Sequence, residues 1–409
     1  MPVDFARVPP RVRVPPPPRP AIILWAILLV IMIGAGAGLT FWQWPAGKPT
    51  NTLGFWCCAI VYPVFAWVLV LCFARGIAYA RRVDAMAINH VSARIEQERH
   101  AQASEPLAVL GYAWCFSGDA QENTAEGIGN GRLKLDTRSS AAEPGTDVCA
   151  RWLEVPGLSF SSGNVLLEHK RHQALCNWLV ARMIDRLGGA LAVLPNQTTL
   201  HVDVCNETLV DLHEVQSRLQ ALILEIAPTL KLELHAHGEH MPLFRTDAWH
   251  DRLKPREGRL LVALQLRNAL SERLQDGVAE AGVALLLGRP HVDGCQPALR
   301  LHRPAKGKAD GKSEPFDLAV RWGQATAAQI RTIWNHCLSE DLARPVKSAS
   351  HFNQQAQWID VGTTVGDCGG VGAWLATALA LEHAALTGQP QLILSEQDGD
   401  LVALVCKSS

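Results

Sequence analysis

The chain has 409 residues, 48% of them hydrophobic and 19% charged, with a formal net charge of −1. At roughly 100–200 residues per domain this is two domains or one large one, with ample material for a core. A near-neutral chain has no long-range field to draw in polyanions, so no nucleic-acid partner is expected.

Residues 1–20 hold eight prolines together with Arg7, Arg11, Arg13 and Arg19, which predicts a disordered or polyproline-like tail. Residues 21–42 carry no charged residue, and residues 53–74 form a second uncharged run of similar length. A bilayer core needs about 20 apolar residues, so both are predicted to be transmembrane helices, with Pro63 tolerated inside the second. The short link between them, with Pro45, Gly47 and Pro49, makes an antiparallel hairpin, and Trp42, Trp44, Phe55 and Trp56 gather at its tip as an interfacial aromatic belt would. Arginines flank the outer ends of both runs (Arg75, Arg81 and Arg82 follow the second), whereas the tip has only Lys48. The positive-inside rule therefore places both termini in the cytoplasm and predicts a two-span protein of a cell inner membrane. The eleven cysteines, an odd number with no C-x-x-C pair, fit reduced thiols better than a secreted disulfide framework.

After the spans, residues 75–105 read as a juxtamembrane helix and 117–150 mostly as loop. Apolar spacing predicts a helix through Leu175, Leu179, Met183 and Leu187 that ends at Gly188-Gly189, then a strand over 199–205, a helix over 207–226 and a strand over 230–234. This is the strand–helix–strand alternation of a layered α/β unit. Further strands are expected over 259–266 and 278–287. A first α/β half over 106–302 is followed by a basic loop over 303–316 with Lys306, Lys308 and Lys312. A second half over 317–409 comprises a helix over 325–340, a strand over 357–361, an Ala/Leu helix over 372–387 closed by Gly388, and a terminal strand pair turning at Asp398-Gly399-Asp400.

Two stretches carry a family resemblance. "AEAGVALLLGRP" within residues 258–290, and "GTTVGDCGGVGAWLATALALEHAALTG" with its flanking strands, resemble parts of the β-ketoacyl synthases of the thiolase-like fold. The implied fold class is α/β: an N-terminal transmembrane helical hairpin followed by a layered α-β-α-β-α thiolase-like domain of two similar halves, each with a five-stranded mixed sheet. The resemblance also implies a dimer. Synthases of this kind use a nucleophilic Cys on a tight strand-to-helix turn and two His that stabilise the thioester oxyanion. One His belongs to a "GH-T-x-x-A-x-G" turn, where this chain has Asp367 in Gly366-Asp367-Cys368-Gly369-Gly370-Val371-Gly372; a carboxylate there repels an oxyanion. The second His, from an "H-G-T-G-T" run, has no counterpart legible in the sequence. Cys368 is the candidate nucleophile only if the protein is an enzyme.

His235, His237 and His240 in "LELHAHGEH", with Glu239 and His250 nearby, are candidate ligands of a transition metal. The glycines of 366–372 are expected to serve tight strand-to-helix packing. No cofactor is expected. The leading reading is a membrane-anchored, non-catalytic thiolase-like protein that binds or assembles a protein partner, as adapters of the type VI secretion system do. The alternatives are a ketosynthase-like acyl-transfer enzyme with an unplaced Cys nucleophile and a metal-binding sensor. Fusing alkaline phosphatase or a cytoplasm-active fluorescent protein to Ser409 tests the topology: fluorescence without phosphatase activity is expected, and the reverse overturns it.

Overall fold

The computed structural model describes residues 5–17, 21–237, 240–290, 298–308, 314–348 and 356–409. The chain divides into two compact units, residues 4–99 and 100–409.

The first unit holds two helices long and apolar enough to cross a membrane, α1 (Ile22–Gln43) and α2 (Leu53–Ala103), the latter running on beyond this unit. Side chains that a water-soluble fold would cover stand open, among them Ile23 at 78% and Phe73 at 72% exposure. The expected second span and juxtamembrane helix are one unbroken helical run of 51 residues. Nothing in the polar composition after Arg82 stops a helix, so solvation changes along it while the backbone continues. Pro63 leaves its mark as a π-helical turn, Cys57–Val61, in which the Tyr62 N–H reaches the Cys57 carbonyl five residues back. A proline ring would collide with the carbonyl four residues before it, and the wider turn relieves that clash. Gly36 on α1 admits Pro63, since a Cβ there would lie 2.1 Å from its ring. Phe55 is enclosed edge-on by Phe41, Trp44 and Trp56. The proline-rich tail, expected as a solvated coil, has neither helix nor strand over residues 8–17, yet Asn89 brackets the N–H and C=O of Val12, and Ser92 donates to the Pro9 carbonyl.

The second unit is built on β1 (Leu107–Cys115), α3 (Val165–Ala192), β2 (Thr199–Glu207), α4 (Leu212–Ile226), β3 (Lys231–His237), α5 (Thr246–Arg252), β4 (Glu257–Gln265) and β5 (Ala281–Gly288). There follow β6 (Leu299–Leu301), β7 (Ala305–Gly307), α6 (Glu314–Trp322), β8 (Thr332–Asn335), α7 (Glu340–Ser348), β9 (Gln357–Asp360), α8 (Gly372–Thr387), β10 (Gln391–Gln397) and β11 (Asp400–Ser408). The sheet runs β9-β8-β10-β11-β6-β1-β5-β4-β2-β3, with β7 also on β11. Each half has the same order, third-second-fourth-fifth-first. In each the fifth strand (β5 or β11) is antiparallel to both neighbours, while the second, third and fourth strands are mutually parallel. This is an internal duplication, and the halves join edge to edge through β1 and β6.

The layers follow from which faces are apolar. Helices α3 and α4 cover one face of the first half with Leu179, Met183, Leu219 and Ile223. Helix α8 is apolar all round and buried from Trp374 to Leu381, so it must be enclosed on every side. It packs against β1 and β5 of the first half and against β10 and β11 of the second, while α6 lies on the far side against β11. The result is the α-β-α-β-α layering. Its first-half counterpart in the central layer, between β3 and β4, is reduced to the seven-residue α5, whose Trp249 stacks on Trp374 of α8 at 5.8 Å.

Several sequence expectations need correction. Helix α3 does not end at Gly188-Gly189 but continues to Ala192, and a Cβ at Gly188 would make only ordinary contact with Ile226 of α4 at 3.6 Å. The predicted helix over 325–340 is a short 3-10 turn, Ala327–Gln329, followed by the buried strand β8, because Ile333 and Trp334 are enclosed between parallel neighbours. The basic loop is partly strand: β7 pairs with β11, Lys306 faces Asp398 and Asp400, and Arg303 is buried against Asp247 and Asp251. Lys312 lies outside the described residues.

Two buried histidines set the acid response. Burial, reinforced by Arg303, lowers His250 to about 3, and burial with Lys407 nearby lowers His302 to about 4. Both lie below the ordinary value of about 6.5, so the unfolded chain binds protons that the folded chain refuses. Stability therefore falls as pH drops from about 6.5 toward 4, by about 1.4 kcal/mol per pH unit for each histidine. Guanidinium unfolding of the full chain in detergent, followed by tryptophan fluorescence at pH 7.5 and pH 5, should show this loss, and His302→Gln should reduce it.

Candidate functional site

The site forms where β8, β9 and the turn before α8 converge. Strand β8 ends at Asn335 and delivers His336 and Cys337, the latter in a left-handed conformation at φ 47°. Asp360, at the end of the parallel neighbour β9, accepts from the N–H groups of Gly362 (2.9 Å) and Cys337 (3.4 Å) and so fixes this corner.

The turn before α8 is pinned from the first half of the unit. Asp367 N–H donates to the Gly277 carbonyl at 2.6 Å, and Ala279 N–H to the Asp367 carbonyl at 2.8 Å. Gly366 takes φ 116°, and a Cβ there would press on Ala279 at 2.7 Å. The segment carrying Gly277 and Ala279 is held by a buried charge network. Arg171 bridges Glu168 and Glu280, Glu168 accepts from Leu270 and Ser271 N–H, and Glu280 accepts from Arg267 and Leu153 N–H. Burial alone would raise the Glu168 carboxyl, but bonds from His172 and these N–H groups, with Arg171 beside them, bring it down to about 2. Breaking one partner of such a network typically costs about 3–5 kcal/mol.

His336 lies flat on the first turn of α8. A Cβ at Gly372 would fall 2.1–2.3 Å from its ring, so only glycine admits the imidazole. Three groups crowd one nitrogen: Nε2 accepts from Cys368 N–H at 3.2 Å, faces Asp367 Oδ1 at 3.5 Å and lies 3.7 Å from Cys337 Sγ. An acceptor Nε2 is unprotonated, in keeping with burial, which lowers the His336 pKa against the pull of Asp367 and Asp360. A Cys–His–Asp relay needs the carboxylate on one ring nitrogen and the thiol on the other. Here all converge on the same atom, and its lone pair is engaged by a backbone amide.

Both thiols are shifted toward the protonated form. Cys337 is pushed up to about 12 by burial and then by Asp367 and Asp360. Cys368 is fully buried and raised further, its thiol donating to the Gly366 carbonyl at 3.5 Å. On the other side of the turn, Glu207 at the end of β2 lies against Gln265, Arg267 and the Gly370 N–H; burial raises its pKa.

The histidines singled out in "LELHAHGEH" do not converge. His235 lies 3.2 Å from His201, His237 bonds Asp203, which also holds Arg259 at 2.6 Å, and His240 is exposed. His250 is buried apart from them against the Glu105 carbonyl, and Glu239 lies outside the described residues. Parallel register explains the split: His201 faces Glu233 and Asp203 faces His235, so partners come from β2 and not from the histidine run itself. The helix-like composition of residues 325–340 hides His336 in the sequence. The signal that could have found it is its place directly after the buried "TIWN" strand.

No protein-family model and no curated protein sequence matches the chain. Among solved structures it is similar to the ishigamide ketosynthase/chain length factor, with a TM-score of 0.51 and 15% identity over 74% of this chain and 99% of that one. A type III polyketide synthase domain of Steely1 from Dictyostelium (TM-score 0.47, 11% identity) and cerulenin-bound OleA from Xanthomonas campestris (TM-score 0.45, 11% identity) each match 74% of this chain and 99% of their own. The first of these similarities, with the duplicated strand order, establishes a thiolase-like fold.

Gly372→Ala should displace His336 and destabilise the protein by about 1–3 kcal/mol, as overpacking does. Asp367→Asn, which keeps an oxygen to accept from Gly369 N–H at 2.9 Å, should cost less than about 1 kcal/mol. Denaturant midpoints of the two variants check both, and an unperturbed Gly372→Ala would show that His336 is not seated on that turn.

Proposed function

We propose that this protein is a membrane-anchored, non-catalytic member of the thiolase-like architecture that binds or assembles a protein partner on the cytoplasmic side of an inner membrane. The observation that carries this reading is the engagement of His336 Nε2 by the Cys368 amide, with Asp367 and Cys337 on the same nitrogen. A site that must accept a proton and stabilise an oxyanion keeps such an atom free. The internal duplication points the same way. The strand-to-helix turn of the first half, between β3 and α5, contains no cysteine anywhere in residues 231–256, and the helix it should open is only seven residues long.

The two exposed apolar helices support the anchor, and the arginines flanking them support a cytoplasmic location for both termini. An adapter role in a secretion system is a more specific form of this reading and rests on analogy of fold alone. A thiolase-like dimer is the corresponding expectation for assembly.

The competing reading is acyl transfer through Cys337 or Cys368. Incubating the folded full chain with an excess of a medium-chain acyl thioester, then measuring intact mass, separates the two. No acyl adduct is expected. A stoichiometric adduct mapped to either cysteine, and lost in its Ala variant, overturns the proposal.

A further inference from the structure

The parallel pairing of β2 with the edge strand β3 sets His201 opposite Glu233 and diagonal to His235 on one face of the sheet. Their donor atoms converge. His201 Nδ1 lies 3.1 Å from Glu233 Oε2 and 3.2 Å from His235 Nε2, and all three atoms fall within 4.8 Å of one another. A tetrahedral ion held at about 2.0–2.1 Å by N and O ligands spaces those ligands about 3.3 Å apart. The two separations from His201 Nδ1, 3.1 and 3.2 Å, lie near that spacing.

Hydrogen bonding alone satisfies this cluster poorly. His201 Nδ1 carries at most one proton, yet it faces both a carboxylate oxygen and a second imidazole nitrogen. Given to Glu233, that proton leaves His235 Nε2 to share a divided bond; supplied instead by His235, it leaves the carboxylate facing a lone pair. A divalent cation seated among them would draw one ligand atom from each of the three residues. On the far side of the His201 ring, Nε2 lies 3.8 Å from Glu257 Oε2, a carboxylate near enough to support the ring electrostatically once Nδ1 is engaged.

Glu233 is 56% exposed on its side chain and β3 is the edge of the sheet, so a fourth coordination position opens to solvent. Asp203, one residue pair along, is already committed to His237 and Arg259 and takes no part. A second trio among the described residues, His336, Cys337 and Asp367, has its imidazole Nε2 already engaged by Cys368 N–H.

We infer that His201, Glu233 and His235 form a site for a zinc-type divalent transition metal, with three protein ligands and one position open to solvent. The full chain, purified in detergent without a polyhistidine tag and stripped with chelator, should bind one equivalent of Zn²⁺ in a calorimetric titration. It should give a Co²⁺ complex with visible d–d bands and no thiolate charge-transfer band. His201→Ala and His235→Ala should each abolish the saturable site, Glu257→Gln should weaken it about tenfold, and Cys337→Ala should leave it intact. Zn²⁺ should raise the thermal midpoint of the parent but not that of His235→Ala, whose own cooperative melt shows that it folds. Absence of saturable binding in the parent overturns the inference. So does a site that survives both histidine substitutions, or one that is lost in Cys337→Ala.

Discussion

Burial of helix α8 on every side is the constraint from which the rest of the second unit follows. An Ala/Leu helix with no polar face has no stable position against water, and a single sheet covers only one side of it. Two half-sheets of identical strand order enclose it, and the small side chains Ala376, Ala378 and Ala380 let strands approach closely. The same demand fixes the turn that opens the helix. Glycines at 366, 369 and 372 stand where a Cβ would strike Ala279, Gln265 and His336 respectively, so the turn is glycine-rich because three separate segments press on it.

That crowding also decides the chemistry. Three polar groups of the site share one imidazole nitrogen, and the thiols beside it are raised by burial and by carboxylates. The strain at Cys337 and the buried Arg171 network would suit a preorganised reaction centre. The network positions the segment carrying Gly277 and Ala279, that segment pairs with Asp367, and Asp367 accepts from the Gly369 N–H in the turn leading into α8. A fold shared with ketosynthases therefore leaves function to be argued from the site.

In the other unit the ruling element is Pro63. It removes a backbone donor in the middle of an apolar helix, and the π-helical turn just before it absorbs the misfit without breaking the run. Gly36 opposite admits the proline ring, and Trp67 donates to the Trp25 carbonyl at 3.0 Å, tying α1 to α2 where neither helix offers charge for pairing.

The sequence by itself determined whatever depends on local period and composition. This covers the two apolar helices, the alternating strands β2 and β3, the continuous apolar strands β4 and β5, the helix from Gly372 to Thr387 with its Gly388 stop, and the closing strand pair. Each is written in neighbouring residues, because burial on one or all faces imposes a spacing that can be read along the chain. Tertiary structure alone decided the rest. Strand β8 is four residues long and exists only between β9 and β10, so its helix-like flanks masked it and His336 with it. His201, Glu233 and His235 stand 32 and 34 positions apart and meet only through the parallel register of β2 and β3. The nitrogen of His336 that the backbone amide of Cys368 occupies is likewise a tertiary matter. That is set by how closely Gly372 lets the ring approach, a distance no spacing along the chain encodes.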